Sequence, residues 1–174
     1  MLRLNIEDEF IHFVDIKREQ LPEILQWYNN VKEFKYATGI DKPIDMKDLI
    51  RKYEEVAICS SEFFVGIYRN DAKKMIGILK GRLKSSDHPV VWISSIAIDP
   101  GMQGQGYGGM ALDLLLKYLR QVSHIRTVYI SVVEGNNIGM RFWVKKGFQT
   151  IRKIEKYITI DERKQNVFIM AKHI

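Results

Sequence analysis

Residues 96–112 read Ile-Ala-Ile-Asp-Pro-Gly-Met-Gln-Gly-Gln-Gly-Tyr-Gly-Gly-Met-Ala-Leu. An apolar, strand-like segment passes into a glycine-rich turn and then into a segment with helical spacing of apolar residues. Four glycines, at positions 104, 106, 108 and 109, fall within six residues. Backbone N–H groups can converge on an anion there because side chains are absent, and the positive end of the helix dipole points to the same place. The stretch therefore predicts a cradle for the phosphate groups of a ligand.

These glycines are open to two other interpretations. Gly104, Gly106 and Gly109 also match the G-x-G-x-x-G pattern of dinucleotide-binding folds. Such a fold needs several βα units after the glycines, yet only 40 residues follow Glu134, the acid that would hold a ribose. A turn without any ligand is the second alternative. Glycine in the first turn of a helix costs up to about 1 kcal/mol relative to alanine, which favours a use for the bare backbone.

The spacing of residues 103–108, Gln-Gly-Gln-Gly-Tyr-Gly, resembles the Q/R-x-x-G-x-G/A signature of the GNAT superfamily of N-acetyltransferases. As in that family, the signature follows a strand that ends in Ala-Ile-Asp-Pro, here residues 97–100. Residues 136–148, Asn-Asn-Ile-Gly-Met-Arg-Phe-Trp-Val-Lys-Lys-Gly-Phe, are similar to the family's N-x-x-A-x-x-(L/F)-Y-x-x-x-G-F element. Gly139 stands in place of the usual alanine and Trp143 in place of the usual tyrosine. The resemblance is specific over residues 90–148 and generic elsewhere.

The resemblance implies an α/β fold with a mixed, mostly antiparallel sheet of about seven strands. The sheet would be splayed between its fourth and fifth strands and flanked by about four helices, with residues 1–174 forming a single domain. Hydrophobic periodicity gives the matching order β-α-α-β-β-β-α-β-α-β-β. Helices are expected over residues 21–31, after an N-cap at Asp45, over 107–122 and over 137–146, with a final hairpin pairing 148–160 with 164–173.

The same resemblance implies that acetyl-CoA binds in the gap between the splayed strands. The backbone of Ile96, Ala97 and Ile98 would contact the pantetheine arm, and the Ile96 N–H would face the thioester oxygen as an oxyanion donor. A plain core strand is the alternative interpretation, and both can hold because the contacts use backbone atoms. The remaining expected cofactor contacts are Gln103, Gly104, Gln105, Gly106, Tyr107, Gly108, Gly109, Asn136 and Trp143.

The groups that would move protons are less clear from the sequence. The indole N–H of Trp143 can donate a hydrogen bond but does not readily release a proton. Trp92 occupies the position where some family members carry a glutamate base. Glu134, Asp87 and His88 are candidate general bases, and we predict that Glu134 is the base. The alternative for each is a structural role as an ordinary turn or loop residue.

Charge is distributed unevenly along the 174 residues, whose net charge is +6. Residues 1–60 hold nine Lys/Arg and twelve Asp/Glu, a balance of −3, whereas residues 61–174 hold eighteen and nine, a balance of +9. The basic part suits a polyanionic cofactor, and the acidic part could attract a cationic amine or be an ordinary solvated surface. Nucleic-acid binding is not expected, because the basic residues are spread out. The acids in question are Glu33, Asp41, Asp45, Glu54 and Glu55.

Other sequence features indicate the cellular location of the protein. The single cysteine, Cys59, cannot form an intrachain disulfide, and no apolar run approaches the length of a membrane span. Acidic residues at 7–9 stand where a secretory signal would need an apolar segment. We therefore expect a cytoplasmic protein with no membrane association and no metal site.

Two functions of different class remain. The first is an N-acetyltransferase that moves an acetyl group from acetyl-CoA to a primary amine by direct transfer in a ternary complex. A small cationic amine is the favoured acceptor, a protein N-terminus is the other acceptor class, and a homodimer is among the assemblies to test. The second function is a catalytically weak or silent acyl-CoA-binding sensor or interaction protein. It is suggested by the loss of both usual proton-handling residues.

Overall fold

The computed structural model describes residues 3–72, 74–84, 87–122 and 125–174. Its strands form one seven-stranded sheet in the order β1-β2-β3-β4-β5-β7-β6. Neighbouring strands are antiparallel except for β4 and β5, which are parallel, so the expected mixed sheet is confirmed. The strands are β1 Ile11–Asp15, β2 Glu62–Arg69, β3 Met75–Lys84, β4 Val90–Ile98, β5 Thr127–Val133, β6 Gln149–Ile160 and β7 Arg163–His173.

Within these described residues, five α-helices accompany the sheet: α1 Leu21–Asn29, α2 Val31–Thr38, α3 Met46–Ile58, α4 Tyr107–Val122 and α5 Asn137–Lys145. The one helix expected over residues 21–31 is two helices, because Asn30 leaves the helical region with φ −80° and ψ 65°. Its N–H closes α1 on the carbonyls of Gln26 and Trp27, and its carbonyl accepts from the first turn of α2. The apolar spacing runs across this break, so periodicity alone did not show it.

The other helix and hairpin boundaries follow local chemistry. The Asp45 carboxylate accepts a hydrogen bond from the Asp48 N–H at 2.8 Å, which confirms the expected N-cap of α3. The left-handed Gly147, with φ 82°, follows α5, which ends one residue earlier than expected. Arg163 belongs to β7 rather than to the hairpin turn, which is made by Asp161 and Glu162.

The hydrophobic core lies on both faces of the sheet. Phe63 and Phe64 are consecutive in β2 and therefore point to opposite faces. Phe63 belongs to the cluster that contains the buried side of α4, including Leu115. Phe64 belongs to the cluster that contains Leu21 of α1 and Leu49 of α3. The helices before β2 thus cover one face and α4 covers the other. No helix within the described ranges is long and apolar enough to cross a lipid bilayer.

The sheet opens between β4 and β5. These strands pair over only four positions, from Val90 with Thr127 to Ile93 with Ile130. The register between β3 and β4 shifts just beyond that point, which makes Ser94 an extra, bulged residue. A bulge bends its strand, so β4 turns away from β5 from Ser94 onward. The expected splay between the fourth and fifth strands is therefore confirmed, and it leaves one edge of β4 without a partner strand.

Candidate active site

A cleft of about 620 Å³ occupies the opening between β4 and β5. One wall is the unpaired half of β4 together with the glycine-rich turn and the start of α4. The other wall is formed by the end of β5 and by α5, and α2 lies across one end. The cleft therefore joins the two sequence elements on which the family resemblance rests.

Every second residue of the open half of β4 points its backbone N–H and C=O groups into this cleft. The Asp99 N–H donates to the Ile76 carbonyl at 2.8 Å, which directs Asp99 toward β3. Because strand N–H and C=O groups alternate sides, Ala97 also faces β3, whereas Ile96 and Ile98 face the opening. The Gln103 amide donates to the Ile98 carbonyl at 2.9 Å, in agreement with this assignment. The Ile96 N–H is thus placed as a donor on the open edge.

The glycine-rich turn needs glycine for two different reasons. Gly104 and Gly106 have φ values of 75° and 90°, a left-handed conformation that other residues rarely adopt. Gly108 has no such φ, and a Cβ built there would lie 3.6 Å from Ile98 and 3.8 Å from Phe142. The bare backbone of Gly108 therefore lies between the end of β4 and α5, where a side chain would narrow the cleft.

A positive charge is fixed beside the first turn of α4. The Lys146 ammonium donates to the Gly109 carbonyl at 3.2 Å and to the Asp113 carboxylate at 2.7 Å. Lys146 follows α5, so this pair of contacts ties the two helices that flank the cleft. Because Lys146 is paired with Asp113 and does not line the cleft, the preference for an anion at the start of α4 comes from the helix dipole and the backbone N–H groups.

On the opposite wall, Asn136 begins α5 by accepting a hydrogen bond from the Gly139 N–H at 2.8 Å. A Cβ at Gly139 would lie 2.4 Å from the Asn136 amide nitrogen. An alanine at position 139 would therefore require the Asn136 side chain to shift from its present position. Trp143 is only 7% exposed and packs edge-on against Phe142 and Phe148, with ring centroids 4.9 and 5.0 Å away.

The cleft contains nearly all of the residues expected to hold the cofactor. Gln105 is the exception, because its side chain donates to the Gly101 carbonyl at 3.1 Å and the residue does not line the cleft. The residues that do line it are Ile96, Ala97, Ile98, Gln103, Gly104, Gly106, Tyr107, Gly108, Gly109, Asn136 and Trp143.

The carboxylates and the histidine expected to act as bases lie elsewhere. The Glu134 carboxylate accepts from the Asn166 amide at 2.8 Å and lies 3.6 Å from the Lys153 ammonium, and Glu134 does not line the cleft. Asp87 and His88 precede β4, whereas Ile96 is near its end. At about 3.3 Å per strand residue, His88 is roughly 25 Å from Ile96 along the chain.

Helix α2 contributes residues that the sequence did not assign to the chemistry. Glu33 is the only carboxylate among the described residues that line the cleft. Tyr36 also lines it, and its hydroxyl lies 2.6 Å from the position that a Cβ on Gly135 would take. In the sequence, Glu33 is only one of several acids in a charged region. Its orientation depends on the helix break at Asn30, which has no signal in the periodicity.

The turn of the final hairpin closes over α2. Asp161 forms an ion pair with Lys35, and its N–H donates to the Asp41 carboxylate at 3.3 Å. Two of the acids expected to attract a cationic amine have other partners. Asp45 is the N-cap of α3, and the Glu54 carboxylate is paired with the Arg18 guanidinium at 3.2 Å. Glu33 lines the α2 end of the cleft beside Lys32, whereas Asp41 and Asp161 lie next to α2 without lining the cleft. We call Glu33, Asp41 and Asp161 the acidic entrance, because these three carboxylates outnumber by one the ammonium groups of Lys32 and Lys35 beside them.

Comparison with known proteins assigns the family. Residues 21–148 match the model of the Acetyltransferase (GNAT) family, so the matched region includes both motifs and most of the sheet. The chain belongs to this family.

Individual relatives show how far the similarity extends. The chain is 34% identical over 82 residues to a [ribosomal protein bS18]-alanine N-acetyltransferase from Haemophilus ducreyi, covering 46% of this chain and 55% of that protein. It is 32% identical over 59 residues to a spermine/spermidine N(1)-acetyltransferase from Bacillus subtilis, covering 34% of this chain and 39% of that protein. The chain therefore spans about half or less of these curated relatives.

A solved structure shows that the fold is shared over nearly the whole chain. Spermidine N-acetyltransferase from Vibrio cholerae, crystallised with CoA and spermine, superposes with a TM-score of 0.82 at 19% identity. The superposition covers 95% of this chain and 96% of that one.

Proposed function

We propose that this protein transfers the acetyl group of acetyl-CoA to the nitrogen of a primary amine. The observation that carries the proposal is the open edge of β4, where Ile96 lines the same cleft as the glycine-rich turn and Glu33. The cofactor supplies an activated acetyl thioester. Binding, charge stabilisation and proton removal are assigned to residues of the chain.

The lining of the cleft fits coenzyme A. The turn before α4 presents backbone N–H groups without side chains, and the 16-residue helix behind it adds its dipole. Residues 103–109 would hold the pyrophosphate, with the exception that the Gln105 side chain points away. Ile96 and Ile98 would pair with the pantetheine arm through their backbone groups, whereas the backbone groups of Ala97, which were also expected to contact it, face β3. Asn136 and Trp143 would contact the arm from the other wall.

The Ile96 N–H would stabilise the negative charge that develops on the acyl oxygen. A preorganised donor of this kind contributes about 3 kcal/mol of transition-state stabilisation. Direct transfer is supported because the single cysteine is remote. Cys59 caps the end of α3, with its sulfur 3.2 Å from the Ser61 hydroxyl, and does not line the cleft. The amine would therefore attack while both substrates are bound.

Glu33 is the base that the geometry favours. It would accept the amine proton directly or through a water molecule. Glu134 stays a prediction from the sequence, but its contacts with Asn166 and Lys153 hold it outside the cleft. Trp143 would donate a hydrogen bond from its indole N–H, for which no described residue is an acceptor, without acting as an acid.

We propose a small cationic amine as the acceptor. The acidic entrance supports this choice, and so does the similarity to a spermine/spermidine acetyltransferase. A protein N-terminus is the competing acceptor, supported by the similarity to a ribosomal-protein alanine acetyltransferase. The replacement of the motif tyrosine by Trp143 supports the silent acyl-CoA-binding alternative.

Amine-dependent release of the coenzyme A thiol separates these possibilities. The panel is spermidine, butylamine and a peptide with an N-terminal alanine, each assayed from low to physiological ionic strength. We expect kcat/KM for spermidine to fall as salt rises, because the screening length shrinks to about 8 Å, while butylamine responds much less. Equal salt responses, or activity on the peptide alone, would contradict the polycation proposal. Acetyl-CoA binding without turnover of any amine would support the silent alternative.

A further inference from the structure

A second, smaller cavity lies on the face of the sheet covered by α1, α2 and α3. It has a volume of about 150 Å³ and lies between α2, α3 and the middle of β2, β3 and β4. Ala37, Ser94 and Ser95 line both this cavity and the cleft, so the two meet at the β4 bulge. We call it the Ser95 pocket.

Two hydroxyl groups at the Ser95 pocket lack partners. The Ser95 Oγ is the one buried side-chain nitrogen or oxygen without a hydrogen bond among the residues that the structure describes, and Ser95 is 8% exposed. Tyr28 is 7% exposed, and no described residue bonds its hydroxyl. Burial raises the pKa of Tyr28 to about 12, so the hydroxyl stays a donor at neutral pH. An unpartnered buried polar group such as the Ser95 Oγ is rare and costs about 1–3 kcal/mol, which points to a ligand.

The charge of the pocket is positive. Lys52 and Lys80 line it against the single carboxylate of Glu55. The Lys80 side chain is partly buried, at 28% exposure, and its ammonium lies 4.0 Å from the Glu62 carboxylate. Glu62 is already bound by the Arg82 guanidinium, whose Nε donates to it at 2.9 Å. Lys80 is therefore incompletely neutralised. Consistent with this, burial lowers the pKa of Lys80, although Glu62 opposes the shift.

We propose that the Ser95 pocket binds a carboxylate, held by the ammonium of Lys80 and by the hydroxyls of Tyr28 and Ser95. A cavity of about this volume admits a benzene-sized molecule, so the carboxylate can carry only a few carbon atoms. The carboxylate belongs either to the acceptor amine itself or to a separate small acid. The first case rests on the proposed function, and it describes an acceptor with ammonium groups at the acidic entrance and a carboxylate in the pocket.

Binding is tested by NMR titration of the isotope-labelled 174-residue protein with butyrate, and with butanol, which has no carboxylate and no charge, as the control. We expect saturable shifts with butyrate in the wild type. Lys80→Gln should weaken binding roughly tenfold, the loss of one charge-assisted hydrogen bond, and Ser95→Ala should weaken it less. Lys84→Gln on the same strand, outside the pocket, is the matched control and should bind as the wild type does. Absence of saturable butyrate binding, or equal binding by Lys80→Gln and the wild type, would overturn the proposal.

Turnover then distinguishes the two sources of the carboxylate. A series of ω-amino acids is compared with alkylamines of the same length. If the acceptor carries the carboxylate, Lys80→Gln lowers kcat/KM for the ω-amino acid that fits and leaves the matching alkylamine unchanged. If the acid is separate, butyrate changes kcat/KM for the alkylamine. The NMR titration needs no turnover, so an inactive protein that binds butyrate would contradict the proposed function while supporting the pocket.

Discussion

At the scale of single residues, Trp143 shows both what a motif reveals and what it leaves open. The sequence identified the replacement of tyrosine by tryptophan, and the structure adds that the ring is buried between Phe142 and Phe148. Such edge-on aromatic pairs stabilise a fold by about 0.5–1.5 kcal/mol beyond the area they bury. The side chain is therefore part of the core as well as the wall of the cleft.

Trp143→Phe should change turnover only a few-fold at neutral pH, because the indole is assigned no proton transfer. The variant should also lose stability, since the smaller ring leaves part of the site unfilled. Steady-state kinetics and thermal unfolding measure the two effects separately. If kcat collapses while coenzyme A affinity is retained, the indole N–H has a catalytic role that our proposal denies.

Glu33 gives the second prediction at this scale. Glu33→Gln should lower kcat by about 10²-fold or more with little change in KM, since a general base contributes that much to proton transfer. Glu134→Gln is the matched control, because it removes a carboxylate that is close in the sequence to the motif but outside the cleft. Glu134→Gln should stay within a few-fold of the wild type. The reverse order of the two variants would restore Glu134 as the base.

Tyr28 links burial to alkaline stability. Its pKa is raised to about 12 by burial, above the value of about 10 in the unfolded chain. The folded state thus prefers the protonated form, so the stabilisation is fully present below pH 10 and is lost as the pH rises toward 12. Denaturant unfolding across this pH range should show a steeper decline for the wild type than for Tyr28→Phe. Parallel curves for the two proteins would show that Tyr28 does not carry this linkage.

At the scale of helices and strands, elements with strong local signals were predictable and those set by tertiary contacts were not. The boundaries of α4 and the cap of α3 follow from the sequence, because glycines and Asp45 mark where each helix begins. The break between α1 and α2 did not follow, since Asn30 interrupts the backbone without interrupting the apolar spacing. The bulge at Ser94 has no sequence signal either, because it is a property of the pairing with β3.

The splay of the sheet depends on contacts between elements. Trp92 of β4 stacks on Tyr129 of β5, with ring centroids 5.2 Å apart, at the end where the strands still pair. Trp92 was noted in the sequence as the replacement of a glutamate base, and the structure gives it this packing role instead. Position 92 therefore cannot supply a base, and its tryptophan instead forms a cross-strand aromatic pair at the end of the sheet where β4 and β5 still pair.

At the scale of the whole molecule, the predictable part of the site is the part that uses backbone atoms. The strand, turn and helix of residues 96–112 are contiguous, so one stretch of sequence contains most of the expected cofactor contacts. The acceptor side that we propose would be assembled from α2, the hairpin turn and the Ser95 pocket, which are distant along the chain. Side chains that meet only through the fold leave no pattern in a single sequence, so Glu33 and the Ser95 pocket required the structure.

The central claim is that the cleft between β4 and β5 holds acetyl-CoA against bare backbone, and calorimetric titration of coenzyme A tests it most directly. The informative variant is Gly108→Val. Gly108 is chosen over Gly106 because φ at Gly106 is 90°, so a side chain at position 106 would strain the fold itself. Gly108→Ala is the control, since its methyl group reaches only ordinary contact distance, 3.6 Å from Ile98. We predict that Gly108→Val remains folded and binds coenzyme A at least about tenfold more weakly, a loss of roughly 1.4 kcal/mol, while Gly108→Ala keeps most of the affinity. Unchanged affinity in a folded Gly108→Val protein would contradict the account.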